Sequence, residues 1–428
     1  MRKINIAIIG LGNIGSFLYK YLQKNKKILS EKNNCTPNVL YVSAKNKKRK
    51  RNLNIPKKKW LNNYLDATKK NDVDLVIELI GGSEGAAKKL VFNALKNKKH
   101  VVTANKALIA KYGDQLAEIA EKNKVNLEFE ASVCGGVPII RSIKEGLIAN
   151  RIQKIYGIFN GTSNYILSSM DKNNKNFLDV LNKAKTLGYA ENNPVSDLNG
   201  DDVAAKLKIL SSLCFNSYLN NNIHVEGIKN IDKEDIDNAN KLGYKIKLLG
   251  YAELINKNIF QRVHPTLIKT SSYVAGIDGV LNAVIIDGSP VGQSIIQGEG
   301  AGPTATTSAL VSDISSILRG NIKFPFSISN KKRKKLQFKN ISERFFSAYL
   351  RFEVADRPGV LSKITNIFSK NKVSIKRLIQ NPNKKKGTSS IVIVTHASKD
   401  KSYTKIVNQI DKKSFIFNKS KLIRIDDN

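Results

Sequence analysis

The first 131 residues carry short apolar runs, at 4–9, 39–42, 74–80, 100–102 and 127–131. The run at 4–9, RKINIAII less its first two residues, is nearly continuous rather than alternating. That is the signature of a strand buried on both faces of a parallel sheet, and a helical stretch to about Lys24 follows it. The pattern predicts an α/β fold that begins with a Rossmann-like, doubly wound domain. From about Ile152 it changes. The strand IQKIYGIF opens a second region, and segments 245–252, 260–268 and 282–286 read as an antiparallel sheet, giving an α+β domain with a mixed or antiparallel sheet. A helix follows from Pro303 to about Arg319. Beyond a basic stretch come the strand AYLRFEV, a turn Asp356-Arg357-Pro358-Gly359, a helix at 360–369 and the strands VSIKRLIQ and SSIVIVTH.

With 428 residues the chain is expected to form two to four domains, and 41% hydrophobic with 25% charged residues is ordinary for globular proteins. The net charge of +37 changes the picture little. Lysine and asparagine, both with A-rich codons, are spread over the whole length, so the charge reads as a solvated basic surface, not a nucleic-acid interface. Cys35, Cys134 and Cys214 lack any C-x-x-C spacing, which argues against zinc or a disulfide framework. No run approaches the ~18 apolar residues of a membrane span and none resembles a signal peptide, so a cytoplasmic protein is expected, bound to neither membrane nor nucleic acid.

Gly10-Leu11-Gly12-Asn13-Ile14-Gly15 follows the first strand and opens a helix. In that context Gly10 allows a tight turn, Gly12 lets backbone approach a pyrophosphate, Gly15 lets helix pack on strand, and Asn13 and Ile14 lie at the helix N-terminus facing the anion. The second strand does not end in the Asp or Glu that would hold a ribose 2′-hydroxyl. It runs instead into Ser43-Ala44-Lys45-Asn46-Lys47-Lys48-Arg49-Lys50-Arg51, which suits a 2′-phosphate. NADP is therefore expected, with NAD open as the alternative and Lys45 as the foremost contact. Ser83, in a Gly-Gly-Ser turn, and Thr103 and Lys106, at the carboxyl edge of the sheet, are further candidates for the cofactor side. The glycine-rich bend at 130–138 reads as a turn ahead of a helix at 139–146. Asn160-Gly161 is also a turn, with Thr162 or Ser163 as a helix cap.

The most informative stretch is 184–206, AKTLGYAENNPVSDLNGDDVAAK. Glu191 and Asp197 are placed on loops, while Asp202 and Lys206, four residues apart, share a helix face. Written as A-x3-G-Y-A-x2-N-P-x2-D-L-x-G-x-D-x3-K, it fixes about ten positions over 23 residues and resembles the signature of homoserine dehydrogenases. Thr103-Ala104-Asn105-Lys106 is similar to that family's catalytic-lysine segment, Asn160 to Leu167 to its substrate segment, Gly300-Ala301-Gly302 to its cofactor turn, and residues 344–428 to an ACT domain of ferredoxin-like β-α-β-β-α-β fold.

The resemblance implies a nucleotide domain at 1–133 completed by a return helix at 303–319, a catalytic and dimerisation domain at 134–302, a basic linker at 320–343 and a regulatory module at 344–428. It implies reversible reduction of L-aspartate 4-semialdehyde to L-homoserine in threonine and methionine biosynthesis. Lys206 would donate the proton, Lys106 assist and Asp202 orient. Glu191, Asp197 and Thr162 would hold substrate, and Gly302 would meet the cofactor. The two ammonium groups are expected to depress one another's pKa. Carbonyls of Glu130, Val133, Gly135 and Val137 would bind a monovalent cation such as sodium, threonine would be an effector at the ACT module, and the protein would be a homodimer or homotetramer. Since the nucleotide strand begins at residue 4, no fused aspartokinase is expected. Another NADP-linked oxidoreductase of amino-acid metabolism, or a catalytically silent amino-acid sensor, are the alternatives.

Overall fold

The computed structural model describes residues 2–382 and 387–426. Strands β1 (Arg2–Ile9), β2 (Cys35–Ser43), β3 (Leu75–Glu78), β4 (His100–Thr103) and β5 (Leu127–Glu128) form a parallel sheet in the order β2-β1-β3-β4-β5. The near-continuous apolarity of β1 has a simple cause. Alternation sends Ile4, Ile6 and Ile8 to one face, against Leu18 and Leu22 of helix α1 (Asn13–Lys24), and Ala7 and Ile9 to the other, against Val76, Leu90 and Val101. Each fully buried aliphatic side chain contributes about 1.5–3 kcal/mol. The order reverses between β1 and β3, so the crevice for a ligand lies at the carboxyl ends of those two strands.

The helix after the 299–302 turn runs Pro303–Leu318. Leu310, Ile314 and Ile317, spaced to share one stripe, join Ile6, Ile8 and Leu18 in a common core, so this late segment packs against the first sheet and its helix α1. Two local expectations differ. The fifth strand stops at Glu128 because the Glu130 N–H leaves the ladder for Asp313 Oδ2 (2.9 Å) and 130–132 closes as a 3-10 turn, in which the Ser132 hydroxyl donates to Phe129 O (2.6 Å). The helix expected at 139–146 is α-helical only over Ile139–Arg141 and widens to a π-turn at Ser142–Gly146, with Lys144 turned inward to Glu128 (3.0 Å).

The second sheet contains antiparallel neighbours Arg151–Ile158, Tyr244–Ile255, Asn258–Lys269, Leu281–Ser289 and Gly292–Glu299, with the helices Gly161–Asn173 and Asp201–Cys214 in contact with it. It does not end at the C-terminal module. Strand Lys421–Asp426 pairs in parallel with Asn258–Lys269, Arg424 opposite Thr266, so the ACT sheet continues the catalytic one. The ACT order itself is as expected: Phe345–Ala355, helix Val360–Lys370, Ile375–Pro382, Thr388–Thr395, helix Asp400–Ile410 and Lys421–Asp426. Leu350, Phe352 and Ile393 face its own helices, whereas Tyr349, Val392 and Ile423 join the main core.

Segment 320–343 departs from the expected solvated linker. Lys331, Lys332, Lys334 and Lys335 are exposed, but Arg333 is buried, paired with Asp114 (2.8 Å), donating to Ser217 O and Ser212 Oγ, and stacked 4.0 Å over Phe326. A planar guanidinium with several acceptors and an aromatic face can be buried where an ammonium would not be.

Candidate active site

The glycine turn after β1 is built by close contacts at two of its three glycines. Gly10 has φ 108°, and a Cβ there would stand 2.4 Å from Leu79 O; one at Gly15 would stand 2.1 Å from Gly10 O. Gly12 is different. Its φ is −78° and a Cβ would meet nothing within 4 Å, so neither backbone strain nor packing within the protein requires glycine at this position. Open space beside the uncapped N-terminus of α1, which has no acid in its first turn, fits an incoming pyrophosphate. Exposed Asn13 lines the outer groove and Ile14 the cleft described below.

The basic loop reaches this turn through residues other than the one singled out from sequence. Arg49, Lys50 and Arg51 line the groove with Gly12 and Asn13, whereas exposed Lys45 does not. Arg51 shapes the loop: its Nε donates to Leu11 O (2.9 Å), its Nη1 to Arg49 O (2.8 Å) and its Nη2 to Asn46 O (2.5 Å), with the Trp60 ring 5.7 Å away. Near the opposite end of the crevice, buried Glu78 accepts from Ile80 N (2.7 Å), Gly81 N (2.9 Å) and the Thr103 hydroxyl (2.5 Å), and Asn105 Nδ2 donates to Gly82 O (2.7 Å). Thr103 thus spends its proton on framing the turn, and Ser83 lies half-buried beyond it, outside the cleft.

Between the two sheets lies a cleft of about 640 Å³, lined by Ile14, Lys106, Gly135, Thr162, Glu191, Asp197, Asp202, Lys206 and Gly302 among others. Lys106 begins the helix Lys106–Lys122 at the sheet's carboxyl edge, and Asp202 and Lys206 lie one turn apart on Asp201–Cys214. Asp202 stands between the lysines: Lys106 Nζ is 2.8 Å from Oδ1 and Lys206 Nζ 2.8 Å from Oδ2. Burial works against the Asp202 charge, but Lys206 and Lys106 overcome it and hold its pKa well below the ordinary carboxylate value. For Lys206 burial again opposes charge, and the Asp202 carboxylate outweighs it, so its pKa is raised. The expected mutual depression of the two lysines is therefore wrong for Lys206, because a carboxylate separates the ammonium groups. Lys206 also donates to Phe159 O (2.6 Å); its side chain is 10% exposed, against 42% for Lys106.

Asn160 is the organising residue that sequence reading passed over. Its Nδ2 donates to Asp197 Oδ1 (2.7 Å) and Asp202 Oδ2 (2.8 Å), and its Oδ1 caps the next helix through Ser163 N (2.8 Å). It, rather than Thr162 or Ser163, is the N-cap. Asp197 sits on the short helix Val195–Asn199 and not on a loop; burial, then the Asp202 charge, raise its pKa. The Thr162 hydroxyl donates to Tyr189 O (2.6 Å), tethering the turn that carries exposed Glu191 over the cleft.

Residues 130–137 form the floor. Cys134 and Gly135 have φ 53° and 40°, and a Cβ at Gly135 would meet Gly300 O at 2.7 Å, so this bend lies directly on the 299–302 turn. The Glu130 carboxylate accepts from Ile140 N (2.9 Å) and Arg141 N (2.7 Å). Its pKa is pushed up to about 7 by burial, partly offset by those two bonds. The carbonyls of Glu130 and Val137 accept from Val133 N (3.3 Å) and Ile139 N (2.7 Å), each with a second lone pair left.

A dinucleotide turn at a sheet switch point, opening beside a cleft with two lysines bridged by a carboxylate, defines a nicotinamide-dependent dehydrogenase acting on a small polar substrate. A family model described as homoserine dehydrogenase matches residues 138–315, one for the NAD binding domain of homoserine dehydrogenase matches 10–130, and an ACT domain model matches 348–414. The chain is 38% identical over 418 residues to the homoserine dehydrogenase of Neisseria gonorrhoeae, covering 96% of each, and 36% identical over 415 residues to that of Bacillus subtilis, covering 96% and 95%. The crystal structure of a homoserine dehydrogenase from Thiobacillus denitrificans superposes with a TM-score of 0.93 at 36% identity, over 100% of this chain and 99% of that one. The chain belongs to the homoserine dehydrogenase family, and is an NAD(P)-dependent oxidoreductase.

Proposed function

We propose that the cleft reduces L-aspartate 4-semialdehyde to L-homoserine with NADPH, and that Lys206 supplies the proton. The observation that carries this is the Lys106–Asp202–Lys206 bridge, with both ion pairs at 2.8 Å. NADPH held at the Gly12 turn would supply a hydride to the aldehyde carbon, the carbonyl electron pair moving to oxygen. Lys206 Nζ, fixed by Asp202 and Phe159 O, keeps its third N–H for that oxygen and transfers the proton as the charge develops, a contribution of typically 10²–10⁴-fold. Its raised pKa is no obstacle in this direction, because an alkoxide is far more basic than any amine. Lys106, half-exposed and on the same carboxylate, returns a proton from solvent. Glu191 holds the substrate ammonium at the rim, and Asp197, fixed by Asn160, holds it from below.

Preference for NADPH is supported by the cations around Gly12, with Arg49 and Lys50 the foremost 2′-phosphate contacts now that Lys45 stands off the groove. Sodium on the carbonyls of Glu130, Val133, Gly135 and Val137 would hold the 130–137 bend against the 299–302 turn. The ACT module supports an amino-acid effector, threonine, and assembly as a homodimer or homotetramer. Mixing purified protein with NADPH and aspartate semialdehyde tests the activity: NADPH absorbance should fall as homoserine accumulates in equal amount. No loss of absorbance with either NADPH or NADH would refute it.

A further inference from the structure

An acidic segment of the catalytic domain, 226–235, is gripped by cations of the C-terminal module. Arg424, buried on the last strand, places Nη1 2.9 Å from both Glu226 carboxylate oxygens and Nε 2.6 Å from Asp400 Oδ1. Arg351 holds Asp232 (2.5 Å) and Asp235 (2.7 Å) further along. Charge-assisted contacts by buried guanidinium groups fix geometry as well as supply energy. The end held by Arg424 leads straight to the cleft. A Cβ at Gly227 would stand 2.0 Å from Leu198 O and 2.6 Å from Asn199 Cα, so the backbone at this point rests directly on the short helix that carries Asp197. Ile228 N donates to Leu198 O (2.9 Å), and Glu226 N to Val263 O (2.7 Å). Glu226 does not line the cleft, yet it stands at the start of an unbroken run of contacts that ends at an Asp197 carboxylate bonded to Asn160.

We propose that Glu226, clamped by Arg424, is a positioning residue for the substrate pocket: it presses the Gly227–Ile228 backbone onto Leu198 and so sets where Asp197 stands. The inference rests on the assignment of Asp197 to substrate made above. It makes the last strand of the ACT module part of what aims a substrate contact, through a clamp that lies outside the chemistry itself.

The test is steady-state kinetics on the full chain. Glu226→Gln and Arg424→Lys should each raise KM for aspartate semialdehyde about three- to tenfold, with kcat within about twofold and KM for NADPH unchanged, since a misplacement short of an ångström weakens one contact without removing a catalytic group. The double variant should be no worse than the more severe single one. Gly227→Ala leaves the ion pair intact but pushes on Leu198, and should raise the same KM; it also covers the case in which loss of the ion pair prevents folding. A clamp that merely stabilised the fold would lower the melting temperature and kcat while leaving KM alone. Semialdehyde KM within about twofold of wild type in all folded variants overturns the proposal. Asp197→Asn separates the two claims: an unchanged KM there overturns the assignment of Asp197, whereas a raised KM there beside an unchanged one in Glu226→Gln overturns the clamp alone.

Discussion

Replacing Asp202 with Asn removes the carboxylate that both cleft lysines touch while keeping its size. Two ammonium groups would then share a pocket with no anion between them, and a single amide oxygen would be left for the two lysines and the Asn160 amide that the two carboxylate oxygens now serve. Breaking the buried Lys206 pair costs about 3–5 kcal/mol. The Lys106 pair adds under ~1 kcal/mol because that side chain is 42% exposed and screened. The melting temperature should therefore fall by several degrees above about pH 4. Because the Asp202 pKa is depressed in the fold, its contribution is complete above the unfolded carboxylate value and fades as pH falls, so the gap between variant and wild type should narrow in acid. The kinetic consequence has a definite sign. With Asp202 gone, burial, which lowers the Lys206 pKa, is no longer outweighed by the adjacent carboxylate, and that pKa drops. The alkaline limb of kcat/KM for semialdehyde reduction should move to lower pH, and homoserine oxidation, which needs a neutral amine, should begin at lower pH. The assay is kcat/KM in both directions across about pH 6–10, with thermal melts on the same samples. Profiles that superimpose on wild type in position would refute the bridging role of Asp202.

Further outcomes follow from the cofactor turn and the floor of the cleft. Gly12→Ala should fold and melt like wild type yet bind NADPH at least tenfold more weakly, whereas Gly10→Ala, forced to φ 108° and against Leu79 O, should be destabilised; calorimetric titration and melting distinguish them, and unaltered NADPH binding in Gly12→Ala would count against the pyrophosphate site. Arg51→Ala should release the basic loop and raise KM for NADPH about tenfold while changing KM for NADH little; Lys45→Ala should have the smaller effect, and the reverse ranking would contradict the groove geometry. Glu130, whose pKa is raised to about 7, takes up a proton on folding, so it costs stability as pH rises from about 4.5 to 7, by roughly 3 kcal/mol over the window. Glu130→Gln should therefore gain on wild type in melting temperature as pH increases through that range, and a pH-independent difference would show the carboxyl to be ordinary.

Much of this was legible in the chain, for physical reasons that differ from element to element. The strand at 4–9 and its glycine turn announced themselves because burial on both faces leaves Asn5 as its one polar position, and because a tight turn and close helix packing demand glycine at Gly10 and Gly15. The cleft residues were legible through the 184–206 signature and its resemblance to a family, and the fold brings Glu191, Asp197, Asp202, Lys206, Lys106 and Thr162 to one cleft. Distances were not legible. Two lysines suggest repulsion until Asp202 is seen between them, and the sign of the Lys206 shift reverses. Asn160 was hidden because Asn-Gly is a common turn, and nothing local reveals that its amide bridges carboxylates 37 and 42 residues away. Lys45 was preferred over Arg49, Lys50 and Arg51 because position along a strand does not say how a loop folds back, which Arg51 decides through its own carbonyl contacts. The continuity of the two sheets rests on parallel pairing between Asn258–Lys269 and Lys421–Asp426, far apart in sequence and without a pattern of their own.

The proton donor is tested most directly by Lys206→Met, which keeps the aliphatic stem and deletes the ammonium, followed by single-turnover reduction of aspartate semialdehyde with prebound NADPH. Hydride transfer should slow by about 10²–10⁴-fold while NADPH affinity stays within twofold of wild type. A variant that turns over within tenfold of wild type, with its fold intact, would show that the proton comes from elsewhere.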